Sequence, residues 1–215
     1  IVANMQQAGV LFSTYDFREG EETLLLPLPL YHIYAFNACL GMLARGGHTV
    51  LVPNPRDLKS LVAAFRNSGC TGFAGLNTLF VALCNDADFR AVDFSRLKLT
   101  MSGGMALTMA AAGRWKEVTG VEIVEGYGMS ETSPVISVNP VNANRLGTIG
   151  IAVPSTEVRI VDDNGNEVAA GEPGELVVRG PQVMLGYWNQ PGETAKVLSP
   201  DGWLHTGDVA VVTPE

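Results

Sequence analysis

The chain has 215 residues, 47% of them hydrophobic and 17% charged, enough apolar material for a sizeable core in one large domain or two small ones. A formal net charge of −8 argues against nucleic acid as the main partner, because phosphate backbones are gripped by Lys and Arg. It leaves room for a small anion held by backbone N–H groups or a metal.

Taken in chain order, Ile1 is not an initiator methionine and the last residues are "VVTPE", so the expectation is a piece of a longer protein. The run Thr23 to Ala44, "TLLLPLPLYHIYAFNACLGMLA", carries no formal charge and is long enough to span a bilayer. Pro27 and Pro29 would break a helix there, and His32 and Asn37 are costly in lipid. A buried strand ending at the prolines, followed by a short buried helix, is the better reading. "HTVLVP" (48–53) is a second strand. In "RDLKSLVAAFRNSG", Leu58, Leu61, Val62 and Phe65 recur at helical spacing and Gly69 supplies a stop. "TGFAG" is a short strand, and "NTLFVALCND" a helix with Asn77 as its cap. "RLKLTMSGG" is a strand ending in glycines. "ALTMAAAGRWKEVTG" follows as a helix with Leu107, Ala110, Ala111, Arg114, Trp115 and Val118 on one face, and "VEIV" is the next strand. The alternation predicts an α/β fold, a mainly parallel sheet flanked by helices, over residues 1–145. From 146 to 215 the character changes to a small antiparallel, barrel-like β subdomain. Its strands are "EVRIV" and "ELVVRG", with Asn164-Gly165 as a tight-turn signal. Cys39, Cys70 and Cys84 form no CxxC pair and read as reduced, mostly buried thiols in a cytosolic setting.

In an open parallel sheet, ligands bind beyond the carboxyl ends of the strands. Two such ends carry glycine-rich turns here, "SGG" (102–104) and "EGYG" (125–128). A right-handed crossover would bring both to the same end of the sheet. Glycine admits a flat ligand to the backbone, and Tyr127 offers a ring face for a base. Ser130 can donate to a phosphate oxygen and Glu131 can bind Mg²⁺. Spacing alone equally allows a plain turn in which Ser130 or Thr132 caps a helix. "GWLHTGD" (202–208) is a second candidate, since Asp208 behind a Thr-Gly turn could accept hydrogen bonds from both hydroxyls of a ribose. An ordinary turn with a surface Asp explains it as well.

Together, "EGYGMSET", "GELVVRGPQVMLGYWN" and "GWLHTGD" resemble three core motifs of the adenylate-forming enzymes: acyl-CoA synthetases, adenylation domains and luciferases. "LPLYHIYAF", "VPNPRD", "GLNTLF", "VNP" and "IGIAVPSTEVRIVDDNGNEV" look like bacterial long-chain fatty acyl-CoA synthetases in particular. The resemblance covers essentially the whole chain.

It implies a fatty acid–CoA ligase that forms an acyl-adenylate from fatty acid and ATP, releases pyrophosphate, and passes the acyl group to CoA with release of AMP. By motif, Gly103 and Gly104 would line the adenine and acyl-carboxylate region. Glu125, Gly126, Tyr127 and Gly128 would hold adenine, with Tyr127 stacked on it. Ser130, where the family commonly has threonine, would touch phosphate. Glu131 would bind Mg²⁺ and Asp208 the ribose diol. His32 would line the acyl channel near the reacting carboxylate, unless it is a satisfied core histidine. Asn77, Thr78, Leu79 and Phe80 would border the acyl pocket. Residues 1–145 would thus be the acyl- and adenine-binding part and 146–215 the ribose-binding part. The family's lysine-bearing phosphate loop is expected before Ile1 and its mobile C-terminal domain after Glu215, so the polypeptide alone is expected to lack ligase activity. The alternatives are another carboxylate-adenylating ligase of the aryl-CoA type and a non-catalytic nucleotide-binding module. A cytoplasmic enzyme is implied. Its lipid-soluble substrate allows peripheral contact at the inner face of the cell membrane, although no basic amphipathic anchor is visible.

Overall fold

The computed structural model describes residues 1–12 and 16–213. The chain divides into two compact units, Ile1–Val153 and Pro154–Glu215. The division lies after the change of character expected at 145/146, because one further short strand still pairs with the first unit's sheet.

In chain order the first unit contains α1 (Val2–Phe12), β1 (Thr23–Leu26), α2 (Ile33–Ala44), β2 (His48–Leu51), α3 (Leu58–Ser68), β3 (Gly72–Gly75), α4 (Asn77–Asn85), α5 (Ala87–Arg90), β4 (Leu99–Ser102), α6 (Met109–Thr119), β5 (Ile123–Gly128), β6 (Val135–Val138) and β7 (Ile151–Ala152). The sheet order is β2-β1-β3-β4-β5-β6-β7. Neighbours from β2 through β5 are parallel, and β6 and β7 join antiparallel. The helix caps follow the sequence closely. Asp57 Oδ1 accepts from the Ser60 N–H to start α3, and Gly69 ends it at φ 57°. Thr108 Oγ1 accepts from the Ala111 N–H to start α6, and Gly120 ends it at φ 76°. These are the standard uses of Asp, Thr and Gly at helix ends. Asn77 is not a cap: Leu76 occupies that position, and Asn77 is the first helical residue. On α6 the inner face is Ala111, Ala112, Trp115 and Thr119, while Ala110 faces solvent. Of the expected face, Leu107, Ala111, Trp115 and Val118 do pack in the large core, and Ala112 and Thr119 are buried where Ala110 was expected.

Handedness distributes the helices. The only connection that steps toward β2 is the one through α2; those through α3, α4 and α6 step the other way. Right-handed crossovers therefore put α2 on one face of the sheet and α3, α4 and α6 on the other. Strand alternation then sorts the side chains. Leu25, Phe73 and Ile123 join Leu61, Phe65, Phe80, Leu83, Phe89 and Trp115 in the large core. Leu24, Leu26 and Ala74 meet Ala35 beneath α2 in a much smaller one. Trp115 is fully buried, stacks on Phe73 at 5.4 Å, takes the edge of Phe80 at 5.0 Å, and donates its Nε1–H to Thr100 Oγ1 at 3.1 Å. Burial pushes the Cys70 and Cys84 thiols up, as expected of inert core cysteines. None of the described helices is long and apolar enough to cross a membrane.

The second unit holds β8 (Glu157–Val161), β9 (Pro173–Arg179), α7 (Pro191–Val197) and β10 (Leu204–Val211). Its antiparallel sheet runs β10-β9-β8, so β10 and β8 form its two edges. Asn164-Gly165 turns as expected, with Gly165 at φ 80° donating its N–H to the Asp162 carbonyl at 2.9 Å. The turn returns the chain to a short bridge at Glu167, and β9 starts only at Pro173. Trp203 lies between the guanidinium groups of Arg159 and Arg179, 4.5 and 4.8 Å from its ring centre, a doubled cation–π contact.

Candidate functional site

In the first unit a cavity of about 380 Å³ opens where β4, β5 and β6 leave the sheet. Ser102, Gly103 and Gly104 line it from the end of β4, and Val124, Gly126, Tyr127 and Gly128 from β5. Met129, Ser130 and Glu131 follow, and His32, Ile33 and Tyr34 close it from the start of α2. The parallel pairing of Ser102 with Glu125 brings the two glycine segments to one end of the sheet.

The segment "EGYG" is not a turn. It is the second half of β5, hydrogen-bonded antiparallel to β6. The expectation failed because the glycines were assigned wholly to a turn and a ligand. The chain itself requires Gly128. A Cβ on Gly128 would overlap the Pro134 carbonyl, and one on Gly126 would stand 3.4 Å from the Ser137 carbonyl. Bare backbone lets β6 approach this closely, and it leaves the cavity a floor of peptide groups.

The three residues after Met129 divide their work. Ser130–Thr132 form a single 3₁₀ turn. Thr132 is fully buried; its Oγ1 accepts the Met129 N–H at 3.2 Å and donates to the Pro134 carbonyl at 2.6 Å. Thr132 thus takes the capping role and leaves Ser130, which is exposed, and Glu131, half-buried, at the cavity. Glu131 is the one carboxylate among the lining residues, and no group of three or more His, Cys, Asp or Glu that could hold a metal occurs among the described residues. A single carboxylate fits Mg²⁺, which keeps waters and phosphate oxygens in its shell. It does not fit an ion held by protein ligands alone.

His32 is exposed at the cavity, which removes the core-histidine alternative. It caps α2, with Nδ1 accepting the Tyr34 N–H at 3.2 Å. An accepting Nδ1 leaves the ring proton of the neutral imidazole on Nε2. Tyr34 was missed in the sequence. Its ring packs over Gly103, its hydroxyl donates to the Met101 carbonyl at 3.3 Å, and burial pushes its phenol up, so it stays a neutral donor. Tyr31 and Tyr34 look alike in "LPLYHIYAF", but Tyr31 precedes the His32 cap and is exposed, while Tyr34 lies in the first turn of α2. Asn139 was also missed. It is buried in the lining, donates to the Thr148 carbonyl at 2.8 Å and accepts from the Arg145 N–H at 3.0 Å, which shapes the loop beyond β6.

Other expected residues lie elsewhere. Glu125 does not line the cavity; its carboxylate accepts the Gly147 N–H at 2.8 Å. Leu79 and Phe80 are buried in the large core, because α4 covers the opposite face of the sheet. Asn77 Oδ1 accepts from the Thr108 N–H and hydroxyl at 2.9 and 3.1 Å, and Thr78 is exposed. None of these four borders the cavity. Asp208 belongs to the second unit, exposed in β10 where the ladder register shifts between His205 and Val209. Its N–H donates to Thr206 Oγ1 at 3.2 Å.

Comparison with known proteins identifies relatives of this chain. The chain is 45% identical over its whole length to a long-chain-fatty-acid–CoA ligase of Escherichia coli O157:H7, and 38% identical, again over its whole length, to one of Bacillus subtilis. It spans about 38% of the length of each of these curated relatives. The solved anthranilate CoA ligase AuaEII, in complex with anthranoyl-AMP, superposes with a TM-score of 0.87 at 28% identity, over 95% of this chain and 40% of that one. The family described as AMP-binding enzyme matches residues 1–188. On that match and those relatives, the chain belongs to the AMP-binding enzyme family.

Proposed function

We propose that the chain serves an ATP-dependent long-chain fatty acid–CoA ligase, an acid–thiol ligase that works through an acyl-adenylate. The observation that carries this is the convergence of His32, Gly103, Gly104, Gly126, Tyr127, Gly128, Ser130 and Glu131 on one cavity. A carboxylate oxygen attacks the α-phosphorus of ATP and pyrophosphate leaves. The CoA sulfur then attacks the acyl carbonyl, loses its proton, and AMP departs. Such steps gain most from positioning and fixed charge.

In this reading Tyr127 stacks on adenine above the glycine floor of β5. Glu125 acts from outside the cavity lining, through its hold on the Gly147 N–H. Gly103 and Gly104 admit the reacting groups, and Ser130 donates to a phosphate oxygen. His32 stands by the acyl carboxylate. Glu131 would hold Mg²⁺, which supplies neutralisation of phosphate charge when bound. In the second unit, Asp208 accepts hydrogen bonds from the ribose diol. The first unit is thus the acyl- and adenine-binding part, and the second carries the ribose contact. The enzyme works in the cytoplasm and meets its lipid-soluble substrate at the membrane surface.

Calorimetry with AMP tests the reading. Tyr127→Ala and Asp208→Ala each weaken binding roughly tenfold or more, the worth of a base stack or of a charged hydrogen-bond pair. AMP heats that are absent, or unchanged by both substitutions, overturn it. A parent ligase that turns over aryl acids but ignores acyl-chain length would move the assignment to the aryl-CoA class.

A further inference from the structure

The second unit contains an arrangement around Asp208 that none of the expected motif roles explains. Between the His205–Val177 and Val209–Glu175 pairs, β10 uses four residue steps where β9 uses two. The surplus makes a bulge of Thr206, Gly207 and Asp208. A bulge leaves backbone groups without ladder partners and holds its shape only if something else satisfies them.

Glu175 does so from the facing strand. Its Oε1 accepts the Gly207 N–H at 3.0 Å, and its Oε2 lies 2.7 Å from His205 Nδ1. One carboxylate therefore clasps the chain at the residue just before the bulge and at the bulge's tip. Gly207, at φ 76°, takes the left-handed conformation that turns its N–H toward that carboxylate. Thr206 completes the clasp: its Oγ1 donates to the Leu176 carbonyl at 2.7 Å and accepts the Asp208 N–H. The backbone on both sides of Asp208 is pinned to β9.

We propose that Glu175 is the positioning residue for Asp208, holding the bulge so that the Asp208 carboxylate meets a vicinal diol with both oxygens. The proposal rests on the reading of Asp208 as the ribose contact. Glu175 touches no ligand, so its loss acts only on the diol-dependent part of binding.

The test compares AMP with 2′,3′-dideoxy-AMP by calorimetry on the whole chain. The unmodified protein prefers AMP roughly tenfold or more. Glu175→Ala and Asp208→Ala both abolish that preference and leave dideoxy-AMP affinity unchanged. Glu175→Gln restores it, because a Gln carbonyl accepts the Gly207 N–H and its amide donates to the other tautomer of His205. Hydrogen exchange at the Val178 amide checks that the sheet persists. If Glu175→Ala unfolds it, Glu175→Asp, too short to reach both partners, takes its place and must lose the preference. A Glu175 variant that keeps the sheet and the preference, while Asp208→Ala loses it, overturns the proposal and leaves the Asp208 reading standing. A preference that survives Asp208→Ala overturns both.

Discussion

The two faces of the seven-stranded sheet are built from the same strands and do different things. Three crossover helices fill one face with Leu, Phe and Trp side chains, and Trp115 at its centre touches rings on every side. The other face has α2 as its crossover helix and, across from it, a smaller core in which Leu24 and Leu26 stand beside Gly72 and Ala74. Its polar contacts are local clamps, such as Asn4 with the Val135 N–H and carbonyl at 2.9 and 2.8 Å and Asn37 with the Ser133 carbonyl at 2.9 Å. A packed face supplies cohesion, and a sparsely packed one supplies space. Strand alternation assigns the side chains to the two faces.

The comparison breaks most easily at its strongest point. Trp115→Ala should cost about 3–5 kcal/mol in urea unfolding, through lost burial and a residual cavity. A loss below about 1 kcal/mol would mean that the packed face does not dominate. Gly128→Ala tests the other side. Its Cβ meets the Pro134 carbonyl, so we expect about 1–3 kcal/mol of strain and loss of AMP binding together. Destabilisation with full binding would show that the floor is not where the ligand rests.

Glu22, which precedes β1, sharpens the contrast through pH. Burial pushes its carboxyl up, but hydrogen bonds from Lys98 Nζ and the Arg18 N–H, both at 2.8 Å, outweigh this and hold it below the ordinary 4.5. A carboxyl depressed in the folded state adds stability above its unfolded value, and that stability is lost as pH falls through the folded value. Glu22→Gln should therefore cost about 1–2 kcal/mol near neutrality, and the gap from the unmodified protein should close below pH 4.5. A gap independent of pH would assign the effect to packing. The smallest effect is Tyr34→Phe, which removes one hydrogen bond to the Met101 carbonyl and should cost about 1 kcal/mol or less. Thermal melts with and without AMP would separate that loss from any change at the cavity.

Most of the scaffold was legible in the residues. Helical spacing in α3 and the Gly69 and Gly120 stops are local signals, and local signals survive folding. The site was legible in part. His32, Gly103, Tyr127, Ser130 and Glu131 were placed by motif, and they meet at one cavity. What escaped needs the third dimension. The burial of Leu79 and Phe80 on the far side follows from crossover handedness, which no single helix encodes. The role of Tyr34 depends on where α2 begins. "EGYG" was read as a turn because glycine suits turns. That two strands' backbones press together there is a property of pairing between residues that are not sequence neighbours, such as Tyr127 with Ser137.

The glycine floor of β5 has a consequence for descent. A surface built of peptide groups keeps its donors and acceptors whatever codons change around it. Substitutions at Val138, Val141 or Tyr34 can reshape the cavity's walls, while its floor is inherited intact. Within such a lineage, ligand preference can drift by ordinary point mutation. The strand beneath is shielded from that drift, because at Gly128 a side chain of any kind collides with the chain's own carbonyl.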